Sequence, residues 1–145
     1  MAVRIVRLGS KRIKGEGLRI GTVRRPPRGV PKTKYASQNW YDVWFPNLAP
    51  SVETVNIAQG AKTDKEWLAF AKRYRAEMST PENSRTLELL AALSHRTNFS
   101  VGCYCENEAH CHRSLLRALL ENKRAKILAL ERAQQRIMVR TISVT

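Results

Sequence analysis

Every cysteine of the chain and two of its three histidines fall within VGCYCENEAHCHRSLLRALL, residues 101–120. Three chemistries suit this grouping. In the first, Cys111, His112 and Arg113 open a helix that binds an anion. The first N–H groups of a helix lack intrahelical partners and, with the helix dipole, favour negative charge. A thiolate is stabilised at such a position, more so beside a cation. Arg113 would clamp a phosphate or carboxylate, and His112 would move protons near neutral pH. Cys103 would line the same pocket from the neighbouring strand end. Arg24, Arg25 and Arg28 follow a predicted strand and would supply further anion-binding charge. The ordinary alternative is that Cys111 packs as a small apolar residue and Arg113 is a surface charge.

The second chemistry is a metal site. Cys103 and Cys105 lie two apart on a predicted strand and so point to one face. With His110, Cys111 or His112 they form a Cys/His set of the kind that binds zinc. The spacing argues against it. Familiar zinc modules separate two ligand pairs by a dozen or more residues, whereas these five candidates crowd into ten and the adjacent trio 110–112 cannot all aim at one point, so no cofactor is expected and zinc stands as the alternative. The third chemistry is nucleic-acid binding without catalysis. RRPPRGVPKTKYASQNWYDVW interleaves cations with aromatics, as single-strand binders do. Burial of Trp40 and Trp44 as anchors of a loop explains the same aromatics more simply.

Elements must position these residues. VRIVRLG (3–9) and LRIGTV (18–23) alternate and read as strands. Arg24–Ser51 holds five of the six prolines, so it is a long loop, with Trp40, Tyr41, Trp44 and Phe45 packed back on the domain. TDKEWLAFAKRYRAEM is a helix opened by a Thr63/Glu66 capping box, with Trp67, Phe70, Tyr74 and Met78 facing the core. TPENSRTLELLAALS is a second helix, with Thr80 as N-cap, Pro81 in its first turn and Leu87, Leu90 and Leu93 on its buried side. An inner strand is expected over Val101–Cys105. A long helix should run from within two residues of Cys111 to about residue 135, followed by a strand-like tail, RIMVRTISVT. Strands interleaved with helices predict a small α/β layered domain with a partly parallel sheet flanked by helices. Ligands in such sheets sit beyond the strands' carboxyl ends, where Cys103–Arg113 would lie.

Composition bounds the class. The chain of 145 residues is one ordinary domain, with no apolar run near the ~20 residues a membrane helix needs. Three cysteines in nine residues make no extracellular disulfide framework and fit reduced thiols in a cytoplasm. The net charge of +14 is uneven. Residues 1–34 carry +10, residues 35–112 carry −2 and residues 113–145 carry +6. Such a balance attracts polyanions or keeps a surface solvated.

The segments GLRIGTVRRPPRGVPK, YDVWFPNLAPS and CYCENEAHCHRSLL together resemble domain-of-unknown-function family 488, the YeaO-like group. The shared marks are Arg24, Pro27–Gly29, Trp44–Ser51, Cys103 and Cys111–Arg113, and the likeness spans roughly residues 3–120. The resemblance implies a small α/β domain over residues 1–122 with a site at the end of its last strand, and leaves 123–145 as a basic extension. It implies no particular reaction. The front half is like the YeaO branch, and the Cys-His-Arg ending is like other members. The combined expectation is a Cys-His-Arg site that binds or acts on a phosphate-containing ligand, a nucleotide or nucleic acid. The alternatives are a non-catalytic basic nucleic-acid binder and a Cys/His metal-binding domain.

Overall fold

The computed structural model describes residues 1–128. The elements are β1 (Val3–Arg7), β2 (Leu18–Gly21), β3 (Val43–Trp44), α1 (Val52–Gly60), α2 (Asp64–Met78), α3 (Pro81–Leu93), β4 (Phe99–Cys103) and α4 (His112–Asn122). The four strands form one sheet in the order β1-β4-β2-β3, parallel throughout. The domain is therefore α/β, as the alternation of strands and helices predicts, and its sheet is wholly parallel.

The last strand is inserted between the first two. Arg7 pairs with Cys103, and Gly21 with Gly102, so β1, β4 and β2 end side by side. Period-two alternation sorts the faces of the sheet. Val3, Phe99 and Val101 join a core with Phe70, Tyr74, Leu87, Leu116 and Leu120 from the helices. All five residues of β4 are buried. On the other face, Arg19 is wholly buried and bonded to Glu16, Ser100 is buried, and loops supply the cover. The carbonyls of Ser10 and Asn39 accept the Arg19 guanidinium N–H groups there.

Two glycines allow this closure. A Cβ at Gly17 would lie 2.0 Å from the Asn98 carbonyl oxygen, and its φ of +80° suits glycine. A Cβ at Gly21 would lie 2.3 Å from the Tyr41 ring, which seats the proline-rich loop on β2.

Several expectations need correction. The inner strand is Phe99–Cys103, so Cys105 lies beyond it in the following turn. The long loop contains a short edge strand, β3, and two single-turn 3-10 helices, Lys32–Lys34 and Pro46–Leu48. Its Tyr41 is buried as expected, but Trp44 is 43% exposed and is tied by an indole N–H to the Val23 carbonyl. The Thr63 hydroxyl does cap α2 through the Glu66 N–H, whereas the Glu66 carboxylate reaches back to the Lys62 N–H rather than to that of Thr63. Thr80 caps α3. Leu93, the last residue of α3, is exposed, and the buried side of the helix is Leu87, Leu90 and Ala91. Helix α1 has no counterpart in the sequence reading. Its start is fixed by Ser51, whose Oγ accepts the Thr54 N–H, while Glu77 accepts the Ser51 N–H and the Thr54 hydroxyl.

Helix α4 stops at Asn122 instead of running to 135, because Arg124 takes a φ of +65°. The chain then returns to β1, where Val3 and Ile127 form a parallel bridge. The expected tail strand lies outside the described residues. Among the described residues, no helix is long and apolar enough to cross a membrane.

Candidate functional site: a thiol cluster at the floor of a basic cleft

The site forms where β4 ends and α4 begins. Between them, Asn107 opens a 3-10 turn, Glu108–His110, by accepting the Ala109 N–H. Glu108 is buried and takes two hydrogen bonds, each 2.9 Å, from the buried Arg117 of α4. That pair fixes the turn against the helix. Cys111 then stands at the N-cap with extended backbone angles, and α4 begins at His112. The Ser114 hydroxyl closes the start by donating to the Cys111 carbonyl at 2.9 Å. The leucines at 115, 116 and 120 bury this helix, so the core sets the position of the Cys-His-Arg turn.

The three sulfurs converge. Cys103 and Cys105 place their Sγ atoms 3.8 Å apart. Cys111 Sγ lies 3.8 Å from His112 Nδ1. One ligand atom each from Cys103, Cys111 and His112 all fall within 4.8 Å of one another. Cys103 and Cys111 are buried and Cys105 is exposed. The hydrogen bond from Cys103, then that from Cys111, with the nearby charge of Arg113, hold the Cys105 thiol well below its ordinary value. In return, the bond to Cys105 helps push Cys103 up to about 11. Bonding to its sulfur neighbours and burial push Cys111 well above its ordinary value. Of the three thiols, the exposed one is therefore the most readily ionised.

His112 is buried on the core side of the cluster. Its Nε2 lies 2.8 Å from the Thr22 carbonyl oxygen, so Nε2 carries the proton and donates. Nδ1 is left with its lone pair toward Cys111. Burial lowers the His112 pKa to about 4, so the ring is neutral at neutral pH. The Tyr74 ring packs 5.4 Å away and holds the imidazole plane.

Arg113 is 3% exposed. One guanidinium N–H group donates to the Cys105 carbonyl, and its Nε is buried with no hydrogen-bond partner. Two other arginines are comparably buried, and each has a carboxylate: Arg19 with Glu16 at 2.8 Å, and Arg117 with Glu108 at 2.9 Å. Among the described residues, Arg113 forms an ion pair with no carboxylate.

A cleft of about 1100 Å³ opens above the cluster, with Cys103, Cys105, Cys111 and His112 at its floor. Arg7, Arg25 and Arg28 stand around it. Trp40 and Tyr104 form one wall as an edge-to-face pair 5.9 Å apart. The Tyr104 hydroxyl donates to the Arg25 carbonyl at 3.0 Å, which ties the proline-rich loop to the floor.

The structure thus brings together Cys103, Cys105, Cys111 and His112, with Arg25 and Arg28 at the rim. Three residues take other places. His110 leaves the cluster and packs against Trp67, with ring centroids 5.5 Å apart. Arg113 lies behind the Cys105 turn and does not line the cleft. Arg24 lines the cleft but spends its guanidinium on the carbonyls of Pro46, Ala49 and Pro50. Arg7, Thr22 and Tyr104 are site residues that sequence reading missed. A signal for them was present, since each lies at or just after the carboxyl end of a strand.

A family model described as DUF488-N3a, "Active DUF488-N3 subclade", matches residues 3–124. No curated protein and no solved structure matches the chain.

Proposed function

The chain belongs to the DUF488 family, and from that premise we propose that its cleft binds a phosphate-containing ligand, a nucleotide or a nucleic-acid strand, over the thiol cluster. One observation carries the reading: among the described residues, Arg113 is a buried cation without a carboxylate. A buried charge with no carboxylate beside it is unfavourable by several kcal/mol, so such a group favours anions around it: the Cys105 thiol, whose ionisation it assists, and a ligand beyond that turn. Arg19 and Arg117 have theirs within the fold. For Arg113 the open side of the turn is the cleft, where Arg7, Arg25 and Arg28 add charge of the same sign. A polyanion there meets Arg25 and Arg28 directly and feels the charge of Arg113 through the Cys105 turn. Trp40 and Tyr104 give the cleft an aromatic wall against which a base fits.

Chemistry on a bound ligand is assigned to Cys105 rather than to Cys111. Cys105 is the exposed thiol and the one whose pKa its neighbours lower, and the thiolate is the nucleophilic form. Arg113, bonded to the Cys105 carbonyl, positions the turn and supplies its charge from behind. The family model's description as an active subclade is consistent with a site that does chemistry.

The test is ligand-induced thermal shift with inorganic phosphate, nucleotides and short single-stranded oligonucleotides. Parent protein should respond and Arg113→Gln should lose most of the response, while Arg75→Gln, on the exposed side of α2, should keep it. Equal responses in all three proteins, or none in the parent, would remove the anion reading.

A further inference from the structure

We propose that Cys103, Cys111 and His112 hold a zinc ion in a three-ligand site whose fourth position opens into the cleft. The spacing of these residues in the chain argues against a metal, because neighbours so close together are not expected to aim at one point. The fold removes that objection. It turns His110 away to Trp67 and brings Cys103 in from the end of β4, so that only the adjacent pair Cys111 and His112 must converge.

The donors are already near the required separation. Zn–S of about 2.3 Å and Zn–N of about 2.0–2.1 Å in a tetrahedron place neighbouring donors roughly 3.5–3.8 Å apart. The Cys111 Sγ to His112 Nδ1 edge is 3.8 Å, and all three ligand atoms lie within 4.8 Å of one another. Side-chain adjustments of about an ångström or less would close the site.

The imidazole is also prepared. A ligating histidine usually donates its other ring N–H to a carbonyl or carboxylate, which fixes the tautomer and the ring plane. Here Nε2 donates to the Thr22 carbonyl at 2.8 Å, leaving Nδ1 on the side of Cys111. Thr22 is itself held, because its hydroxyl donates to the Gly102 carbonyl at 2.9 Å.

The number of ligands distinguishes two kinds of site. Closed structural sites use four protein ligands, whereas catalytic ones use three and leave a position for water or substrate. Cys105 is the natural fourth candidate, with its Sγ 3.8 Å from that of Cys103, yet it falls outside the convergent set and is exposed. The charges fit the open form. Zinc with two thiolates and a neutral imidazole is neutral, so a water or an anion at the fourth position meets no net negative charge from the three ligands. This inference goes beyond the anion reading and does not depend on it.

The full chain, expressed without a histidine tag and purified without chelator, should carry about one zinc per chain by elemental analysis. Cobalt replacement should give the visible d–d bands of a tetrahedral site and a near-ultraviolet thiolate charge-transfer band. Cys105→Ser should keep both the metal and the bands, and Cys103→Ser and Cys111→Ser should lose them. Because a buried variant can fail to fold, cobalt titration of metal-free parent protein provides a second readout, with a sharp end point near one equivalent expected. A parent that yields no zinc and no cobalt bands overturns the site, as does zinc whose cobalt form lacks the thiolate band. Loss of metal in Cys105→Ser overturns the open fourth position in favour of a closed four-ligand site. Phosphate-induced thermal shift on the same samples separates the two ideas. A shift without cobalt bands removes the metal site alone, and cobalt bands without a shift remove the anion reading alone.

Discussion

Three buried arginines occupy different electrostatic situations, and their substitutions should behave differently. Arg117 is matched by Glu108 through two hydrogen bonds. Arg117→Met strands a buried carboxylate and should destabilise the fold by about 3–5 kcal/mol. Arg113 has no carboxylate partner among the described residues. Arg113→Met keeps much of the side-chain volume, removes a buried charge that no described carboxylate balances and leaves only the Cys105 carbonyl without its donor. Its ligand-free stability should therefore be unchanged or raised, although its phosphate response is lost. Urea unfolding of the two variants beside the parent checks this. A destabilisation by Arg113→Met as large as that by Arg117→Met would mean that Arg113 is structural. Neither buried role was legible in the sequence, where arginine reads by default as surface charge. The types in the Cys-His-Arg turn were legible, but their roles were not. Which thiol is exposed, and which histidine faces the sulfurs, depends on how a short turn coils between a strand and a helix.

At the scale of elements, the sheet depends on the loop between β1 and β2, because β4 must slot between those strands and bury both of its faces. The buried Glu16–Arg19 pair supports that loop, and the Ser100 hydroxyl of β4 donates to Glu16 at 3.0 Å. Burial alone would raise the Glu16 pKa, but the hydrogen bond and charge of Arg19, with the Ser100 bond, bring it below its ordinary value of 4.5. A folded-state pKa below the unfolded one means that the unfolded chain binds the proton more readily. The pair's contribution is therefore present above about pH 4.5 and is lost as pH falls below it. Glu16→Gln should be destabilised at neutral pH by about 3–5 kcal/mol, because it strands Arg19. Its denaturant midpoint should fall less steeply than that of the parent below pH 4.5. Parallel acid limbs for the two proteins would show that Glu16 is not the titrating group. Much of the element plan could be read in advance, because caps and apolar periodicity are local signals: Thr63, Thr80 and the Phe70–Tyr74–Met78 stripe all stand where expected. Helix α1 was not readable. Val52, Thr54, Val55 and Ile57 are β-branched, and the Glu77 hydrogen bonds that support its start come from another helix. The end of α4 escaped for a related reason, because the turn at Arg124 is stabilised by the return of the chain to β1.

The whole molecule is a basic body, and the fold divides its front charges into two groups. Arg12 pairs with Asp42, Arg19 with Glu16, and Arg24 binds the carbonyls of Pro46, Ala49 and Pro50. These arginines hold loops in place. Arg25 and Arg28 stand at the cleft, and Lys32 and Lys34 are exposed further along the proline-rich segment. If the field of this face attracts polyanions, the second group should carry the binding and the clamped group should carry stability. Association with a short single-stranded oligonucleotide should weaken steeply with salt, and log affinity should fall linearly with log salt concentration. Arg25→Glu and Arg28→Glu should each lower affinity and flatten that slope by about one for every phosphate no longer neutralised, with little change in unfolding midpoint. Arg24→Gln should do the reverse. Its removal leaves the Ala49 and Pro50 carbonyls without the Arg24 donor, and Pro46 with only the Ala49 N–H, so the midpoint should fall while the slope stays near that of the parent. Fluorescence anisotropy across a salt series, paired with thermal unfolding of the same proteins, reads both quantities. A slope that Arg24→Gln flattens as much as Arg25→Glu would place the bound strand deeper, against the loop clamp. Salt-independent binding would remove electrostatics as its cause.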